Sequence, residues 1–133
     1  METVKLDRIG QIHISVRDLD AVVRFYRDVL GMTFLFEVPG QPMAFFDCGG
    51  IRLYLGQPER EELRSNPLIY YTVPSITEAY SKLQERGVKF TSTPHVVHRT
   101  AEMELWMAGF LDPEENTLVL MSEEAPTRID KPR

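Results

Sequence analysis

The sequence predicts an α+β fold built of two βαβββ modules, and three observations predict it. The first is a repeat. The stretch Ile12 to Met32 returns 57 residues later, so that Ile12, Ile14, Val16 and Leu19 fall on Ile69, Tyr71, Val73 and Ile76. The second is a change of period inside each copy, from strand alternation to a helical stripe. That stripe is Leu19, Val22, Val23 and Tyr26 in one copy and Ile76, Ala79, Tyr80 and Leu83 in the other. The third is punctuation. Asp18 and Ser75 stand where a helix needs a cap, Glu78 completes a capping-box pattern, and Gly31 and Gly87 stand where a helix end favours positive φ.

The elements follow in order. Ile9 to Val16 alternates, with Ile12, Ile14 and Val16 on one face and Gln11, His13 and Ser15 on the other. The apolar face should meet the following helix, Leu19 to about Leu30. Three polar side chains in succession suit a face that looks into water or a cavity. Strands are expected over Thr33–Val38, Met43–Cys48 and Ile51–Gly56. Pro39-Gly40-Gln41-Pro42 turns between the first two, and Gly49-Gly50 is a tight hairpin signal. Residues 57–67 are charged and lack an apolar stripe, which makes them a connector with a helical turn near Glu59–Leu63. The second module reads as strand Leu68–Val73, helix Ile76–Arg86, strand Val88–Thr93, strand Glu104–Leu111, a turn at Asp112-Pro113, and strand Thr117–Ser122. Between these, His95 to Ala101 reads either as a strand continuation or as a loop. The expected organisation is one domain, 1–133, with module one at about 8–56, the connector at 57–67, module two at about 68–122, and a polar tail at 123–133.

Composition narrows the function. A chain of 133 residues with 43% hydrophobic content can bury a real core. A formal charge of −5 argues against nucleic acid or an anionic membrane as partner. No run approaches the ~18 apolar residues of a membrane span, and the N-terminus lacks an apolar signal core, so a cytoplasmic location is expected. The single cysteine, Cys48, excludes an intramolecular disulfide and a cysteine-type zinc site, and its strand setting suits a buried filler.

Three motifs carry a family resemblance. Val16-Arg17-Asp18-Leu19, then Phe25-Tyr26-Arg27-Asp28-Val29-Leu30-Gly31, then Asp112-Pro113-Glu114-Glu115-Asn116 together resemble the vicinal oxygen chelate superfamily. That group includes glyoxalase I, methylmalonyl-CoA epimerase, extradiol dioxygenases and the bleomycin- and fosfomycin-resistance proteins. The resemblance covers about residues 8 to 122. It implies eight strands curved into an open mixed cup, helices outside, and a ligand site on the concave face. In metal-dependent members, four side chains on that face hold one divalent ion. The matching positions here are Gln11, Tyr54, Leu68 and Val119. The family places His at the first (Gln in some glyoxalases), Glu or His at the second, His at the third and Glu at the fourth. Leu and Val donate nothing to a hard cation, protonated Tyr is a poor ligand, and Gln11 alone would hold a metal weakly. No cofactor is therefore predicted. A divalent metal stays open through a rearranged set drawn from Gln11, His13, His98 and Glu104.

Other residues could carry chemistry. His13 is the candidate general base, or simply a polar lining residue. The ligand-binding cup is expected to hold Gln11, His13, Tyr54, Tyr70 and Trp106, with Trp106 alternatively in the core. His95 and His98 could join Glu102 and Glu104 in a second cluster, or lie on an exposed loop. Arg52 and Arg99 could grip a carboxylate or phosphate. The leading function is a metal-free small-molecule binding protein. The alternatives are a metal-dependent lyase, isomerase or dioxygenase with a rearranged site, and a degenerate interaction subunit. The partners expected are a small molecule and a second copy of the chain, with no nucleic acid and no membrane.

Overall fold

Alternating apolar runs need a partner on each side for their backbone groups, and the computed structural model, which describes residues 3–127, shows how they find it. The chain divides at Pro67/Leu68 into two compact units. In the first, β1 (Gln11–Ser15) leads to α1 (Leu19–Arg24), then to β2 (Thr33–Glu37), β3 (Met43–Cys48) and β4 (Ile51–Gly56). The sheet order is β1-β4-β3-β2, with β1 parallel to β4 and the other pairs antiparallel. In the second unit, β5 (Ile69–Thr72) and α2 (Ile76–Glu85) are followed by β6 (Lys89–Phe90), β7 (His95–Arg99), β8 (Glu104–Leu111) and β9 (Thr117–Glu124). Here β5 lies parallel to β9, β9 pairs β8, and both β6 and β7 pair β8. The permutation is the same in both units: first strand beside last, then third, then second. The repeat seen in the sequence is thus a repeat of topology.

Eight strands are expected and nine segments form among the described residues, because the second unit's counterpart of β2 is broken in two. Phe90 pairs Phe110, while β7 resumes with His95 opposite Met107. Between them Thr91 donates its backbone N–H to Gly109 O at 2.8 Å, and Ser92 Oγ accepts from Gly109 N at 2.9 Å. Pro94, with no N–H to give, completes the interruption. A Cβ on Gly109 would stand 2.7 Å from Thr91 Oγ1, so glycine here lets the Thr91 side chain lie close against the strand. The segment left open in the sequence is therefore strand as far as Arg99. The last strand also runs two residues further than expected, since Glu123 and Glu124 pair with Leu105 and Glu104. Residues 128–133 of the expected tail lie outside the described residues.

Both helices start and stop on the residues that the sequence nominates. Asp18 accepts from Ala21 N at 3.2 Å and Ser75 Oγ from Glu78 N at 3.4 Å. Gly31 and Gly87 have φ of 73° and 86°. The first helix differs in its final turn. Leu30 N reaches back to Phe25 O at 3.0 Å, so Phe25–Val29 form a π-helical turn rather than a continued α-helix.

Each sheet packs one face on its own helix. Leu53, Leu55, Ala44, Phe46 and Ile14 are buried with Val22, Val23 and Tyr26 in the first unit. Phe110, Ala108, Leu118 and Leu120 are buried with Ile76 and Leu83 in the second. Among the described residues no helix is long and apolar enough to cross a membrane. Cys48 is half-buried rather than fully enclosed, and burial pushes its thiol above the usual range.

Candidate functional site

Residues that pair directly across strands share a face, and chain neighbours take opposite faces. The face of the first sheet turned away from α1 therefore carries Gln11 and His13 of β1, Arg52 and Tyr54 of β4, and Asp47 and Phe45 of β3. His13 stands beside Tyr54 and Tyr54 beside Phe45. Their rings stack: His13 on Tyr54 at 4.3 Å between centroids, Tyr54 on Phe45 at 5.2 Å, with interplanar angles of 22° and 21°. Phe36 continues the row on β2, 4.9 Å from Phe45.

Phe36 reaches this face because of a bulge. The β2–β3 register shifts between Phe34 and Phe36, so Phe34 pairs Phe46 on the helix side while Phe36 pairs Phe45 on the other. Plain alternation would put Phe34 and Phe36 on one face. The extra residue, Leu35, sends them apart.

Several polar atoms of the row are committed. Tyr54 donates its phenol to Gln57 O at 2.7 Å, and burial, with a smaller contribution from the Glu59 charge, raises its pKa above the ordinary tyrosine value. His13 Nε2 lies 3.1 Å from Gly56 O, an acceptor, which assigns a proton to Nε2, so that in the neutral ring the lone pair is on Nδ1. Arg52 Nε donates to Gln11 Oε1 at 2.9 Å, and Arg52 Cζ lies 5.4 Å from the Phe45 centroid.

In the second unit Tyr70 pairs Val119, and Val119 pairs Gly109, on the face turned away from α2. Tyr70 is 46% exposed. An open cleft of about 500 Å³ on this unit is lined by Thr72, Val73, Pro74, Met121 and Glu123. Trp106 does not share Tyr70's face. It pairs Ser122 and Val96, on the side of Ala108 and Phe110. Glu104 lies on the Trp106 side as well, 1% exposed. Its carboxylate accepts from Thr127 Oγ1 at 2.8 Å and from Arg99 Nε at 2.7 Å, and these bonds hold it below the usual carboxylate range. His98 pairs Leu105 and so faces the opposite way from Glu104. The sheet pleat thus separates two of the four residues considered for a rearranged metal set. His95 spends Nδ1 on Thr93 O at 2.8 Å.

The divalent ion implied by the resemblance can be tested against these positions. The register confirms that Tyr54 and Val119 are equivalent places, each beside the residue of the first strand that the repeat equates, His13 and Tyr70. The donors there do not fit a hard cation. Tyr54 keeps its proton on a carbonyl, Leu68 and Val119 have no donor atom, and the carboxamide oxygen of Gln11 already accepts from a guanidinium whose charge opposes a dication. Among the described residues no group of three or more His, Cys, Asp or Glu is placed to hold one ion. The turn motif has a structural role instead. Asp112 accepts from Glu114 N, Asn116 N and Asn116 Nδ2 at 2.9, 2.9 and 2.8 Å.

Comparison with known proteins agrees with the topology. Residues 8–120 match the Glyoxalase/Bleomycin resistance protein/Dioxygenase superfamily. YraH of Bacillus subtilis is 28% identical over 124 residues, covering 84% of this chain and 94% of that protein. Lactoylglutathione lyase from Agrobacterium tumefaciens superposes with a TM-score of 0.72 at 22% identity, covering 89% of this chain and 95% of the other. TnmS3, an antibiotic binding protein from Streptomyces sp. CB03234, gives 0.72 at 20% identity, with coverage of 92% and 100%. At such identities the two structures establish a shared fold and nothing finer.

Proposed function

The chain belongs to the Glyoxalase/Bleomycin resistance protein/Dioxygenase superfamily, and from that premise we propose that it binds a small molecule on the ring-lined face of its first sheet without the family's standard metal. The fold does not choose between binding and catalysis, since it is shared by an antibiotic-binding protein and by a lyase. The site residues lend more support to binding. The observation that carries the reading is Tyr54, which stands at a family metal position but is stacked between His13 and Phe45, with its phenol tied to Gln57 O. Phe36 offers exposed aromatic surface, with Phe45 and Tyr54 buried behind it, and a few hydrogen bonds are worth about 0.5–1.5 kcal/mol net each, so micromolar affinity for a flat ligand is expected. Tyr70, the repeat's counterpart of His13, is proposed as a ligand-facing residue of the second unit.

The test is calorimetric titration of zinc, nickel, manganese and iron(II) into protein stripped of metal. No stoichiometric uptake is expected. Uptake that Gln11→Ala and His13→Ala abolish would instead promote the alternative, a metal-dependent lyase, isomerase or dioxygenase with a rearranged site. One observation favours a catalytic role: His13 Nδ1 carries a lone pair oriented by the bond of Nε2 to Gly56 O, as a general base requires.

A homodimer and a cytoplasmic location belong to the same proposal. Support for the dimer comes from apolar side chains that remain exposed, Leu35 on the edge strand β2 and Leu68 just before β5. Sedimentation at micromolar concentration should give a dimer, and a monomer alone would refute it.

A further inference from the structure

We infer that the ligand of this face is an aromatic carboxylic acid, its carboxylate taken by Arg52 and its ring laid against the exposed Phe36. The inference rests on the proposal that the ring-lined face binds a small molecule. It begins with an ion pair that does not form. Arg52 and Asp47 are direct antiparallel partners on β4 and β3, the placement in which opposite charges ordinarily meet across strands. Yet among the described residues Arg52 makes no ion pair. Its Nε is turned the other way, onto Gln11 Oε1 at 2.9 Å, and its Cζ lies 5.4 Å from the Phe45 centroid.

That posture has a chemical consequence. A guanidinium carries five N–H donors, and Gln11 occupies the one on Nε. The four donors on the two terminal nitrogens form a planar fork with no partner within the described residues, which matches the two oxygens of a carboxylate. Arg52 and Gln11 are both exposed, so a ligand reaches the fork without prior rearrangement. Phe45, itself buried, lies beneath the guanidinium as a support, and the 45% exposed ring of Phe36 stands 4.9 Å beyond it. Charge and exposed aromatic surface therefore lie on one face, with the Phe45 ring between them. Asp47 is the opposing influence: its negative charge shares the face and weakens an anion's hold on Arg52.

The experiment titrates 1-naphthoate and its neutral counterpart 1-naphthylmethanol into the isotope-labelled full chain, with NMR shifts locating each. Naphthoate is expected to bind about tenfold more tightly, the return on a charge-assisted pair of hydrogen bonds. Arg52→Gln should erase that preference, Asp47→Asn should enlarge it, and Arg60→Gln, with the same loss of charge, should keep it. Equal affinities in the parent protein, or a preference that survives Arg52→Gln, would overturn the inference. If naphthylmethanol shifts the His13, Phe36 and Phe45 signals and naphthoate does no better, the carboxylate assignment fails and the ring-face reading stands. If neither probe moves those signals, both fail.

Discussion

Gly56 ends β4 beneath the ring row, and substituting it tests the packing there. Its carbonyl accepts from Val16 N at 3.1 Å and lies 3.1 Å from His13 Nε2, and it pairs Met43 across the sheet. A Cβ added at this position would collide with the carbonyl oxygen of Pro42, lie 2.8 Å from Cε1 of Tyr54 and lie 3.2 Å from Cα of Met43. Two of these neighbours are backbone atoms of the adjoining strand segment, and the third belongs to a ring already stacked on both sides. Little can yield, so Gly56→Ala should cost about 3 kcal/mol, the upper end of overpacking penalties. For a chain of this size that lowers the melting temperature by roughly 10 °C. Two other glycines calibrate the result. Gly10 has no atom within 4 Å of a built Cβ and no positive φ, so Gly10→Ala should lie within about 0.5 kcal/mol of the parent. Gly31 also faces open space but has φ of 73°, so Gly31→Ala should cost about 1 kcal/mol from backbone strain alone. Scanning calorimetry with urea denaturation gives all three. If Gly56→Ala melts with Gly10→Ala, the close approach of Pro42 and Tyr54 is wrong.

Three further outcomes are expected. Asp112→Ala removes a buried carboxylate from three donors and should lower stability by about 2–4 kcal/mol in urea melts, whereas a loss under about 1 kcal/mol would deny the turn its keystone. Tyr54→Phe keeps the stack but deletes the bond to Gln57 O, costing about 1 kcal/mol, and absorbance titration should show the component ionising above the ordinary range smaller in the variant than in the parent, by one tyrosine. Glu104 has its folded pKa lowered by Thr127 and Arg99, so its contribution is whole above the ordinary carboxyl value and fades as pH falls through the folded one. Urea midpoints between about pH 6 and pH 3 should fall more gently in Glu104→Gln than in the parent, and parallel curves would contradict this.

Much of this fold could be read from local chemistry. Gly31 and Gly87 announce their conformations because few other residues tolerate them, and Asp18 and Ser75 cap helices by contacts spanning three residues. The π turn at Phe25–Val29 has no comparable sequence mark, since an i+5 bond and an i+4 bond draw on the same side chains. The break between β6 and β7 depends on Thr91 and Ser92 reaching Gly109 across strands, a pairing no linear pattern records. The site was legible in part. Gly49-Gly50 sets Cys48 opposite Ile51, and counting back from that hairpin puts Phe45 opposite Tyr54. That signal could have found Phe45. The parallel register that brings His13 to Tyr54 could not be counted this way, because β1 and β4 share no turn. Trp106 was ambiguous for want of a fixed parity along β8, and its pairing with Ser122 places it on the helix side.

The bulge at Leu35 carries a consequence for how such a protein could diversify. A binding surface is ordinarily retuned by exchanging one side chain for another, each exchange tried on its own merits. Here the composition of the surface also depends on register. Were β2 to pair with β3 without the bulge, Leu35 would stand opposite Phe45 and Phe36 opposite Ala44 on the helix side, withdrawing a whole ring from the row without altering any residue of β1, β3 or β4. Because β2 is the outermost strand, the change would stop at the sheet margin and leave the interior ladder standing. The second unit has a counterpart at Val97, on the strand that carries His95 and His98. A one-residue slip of register at either place would act like a selector between two surfaces on one scaffold.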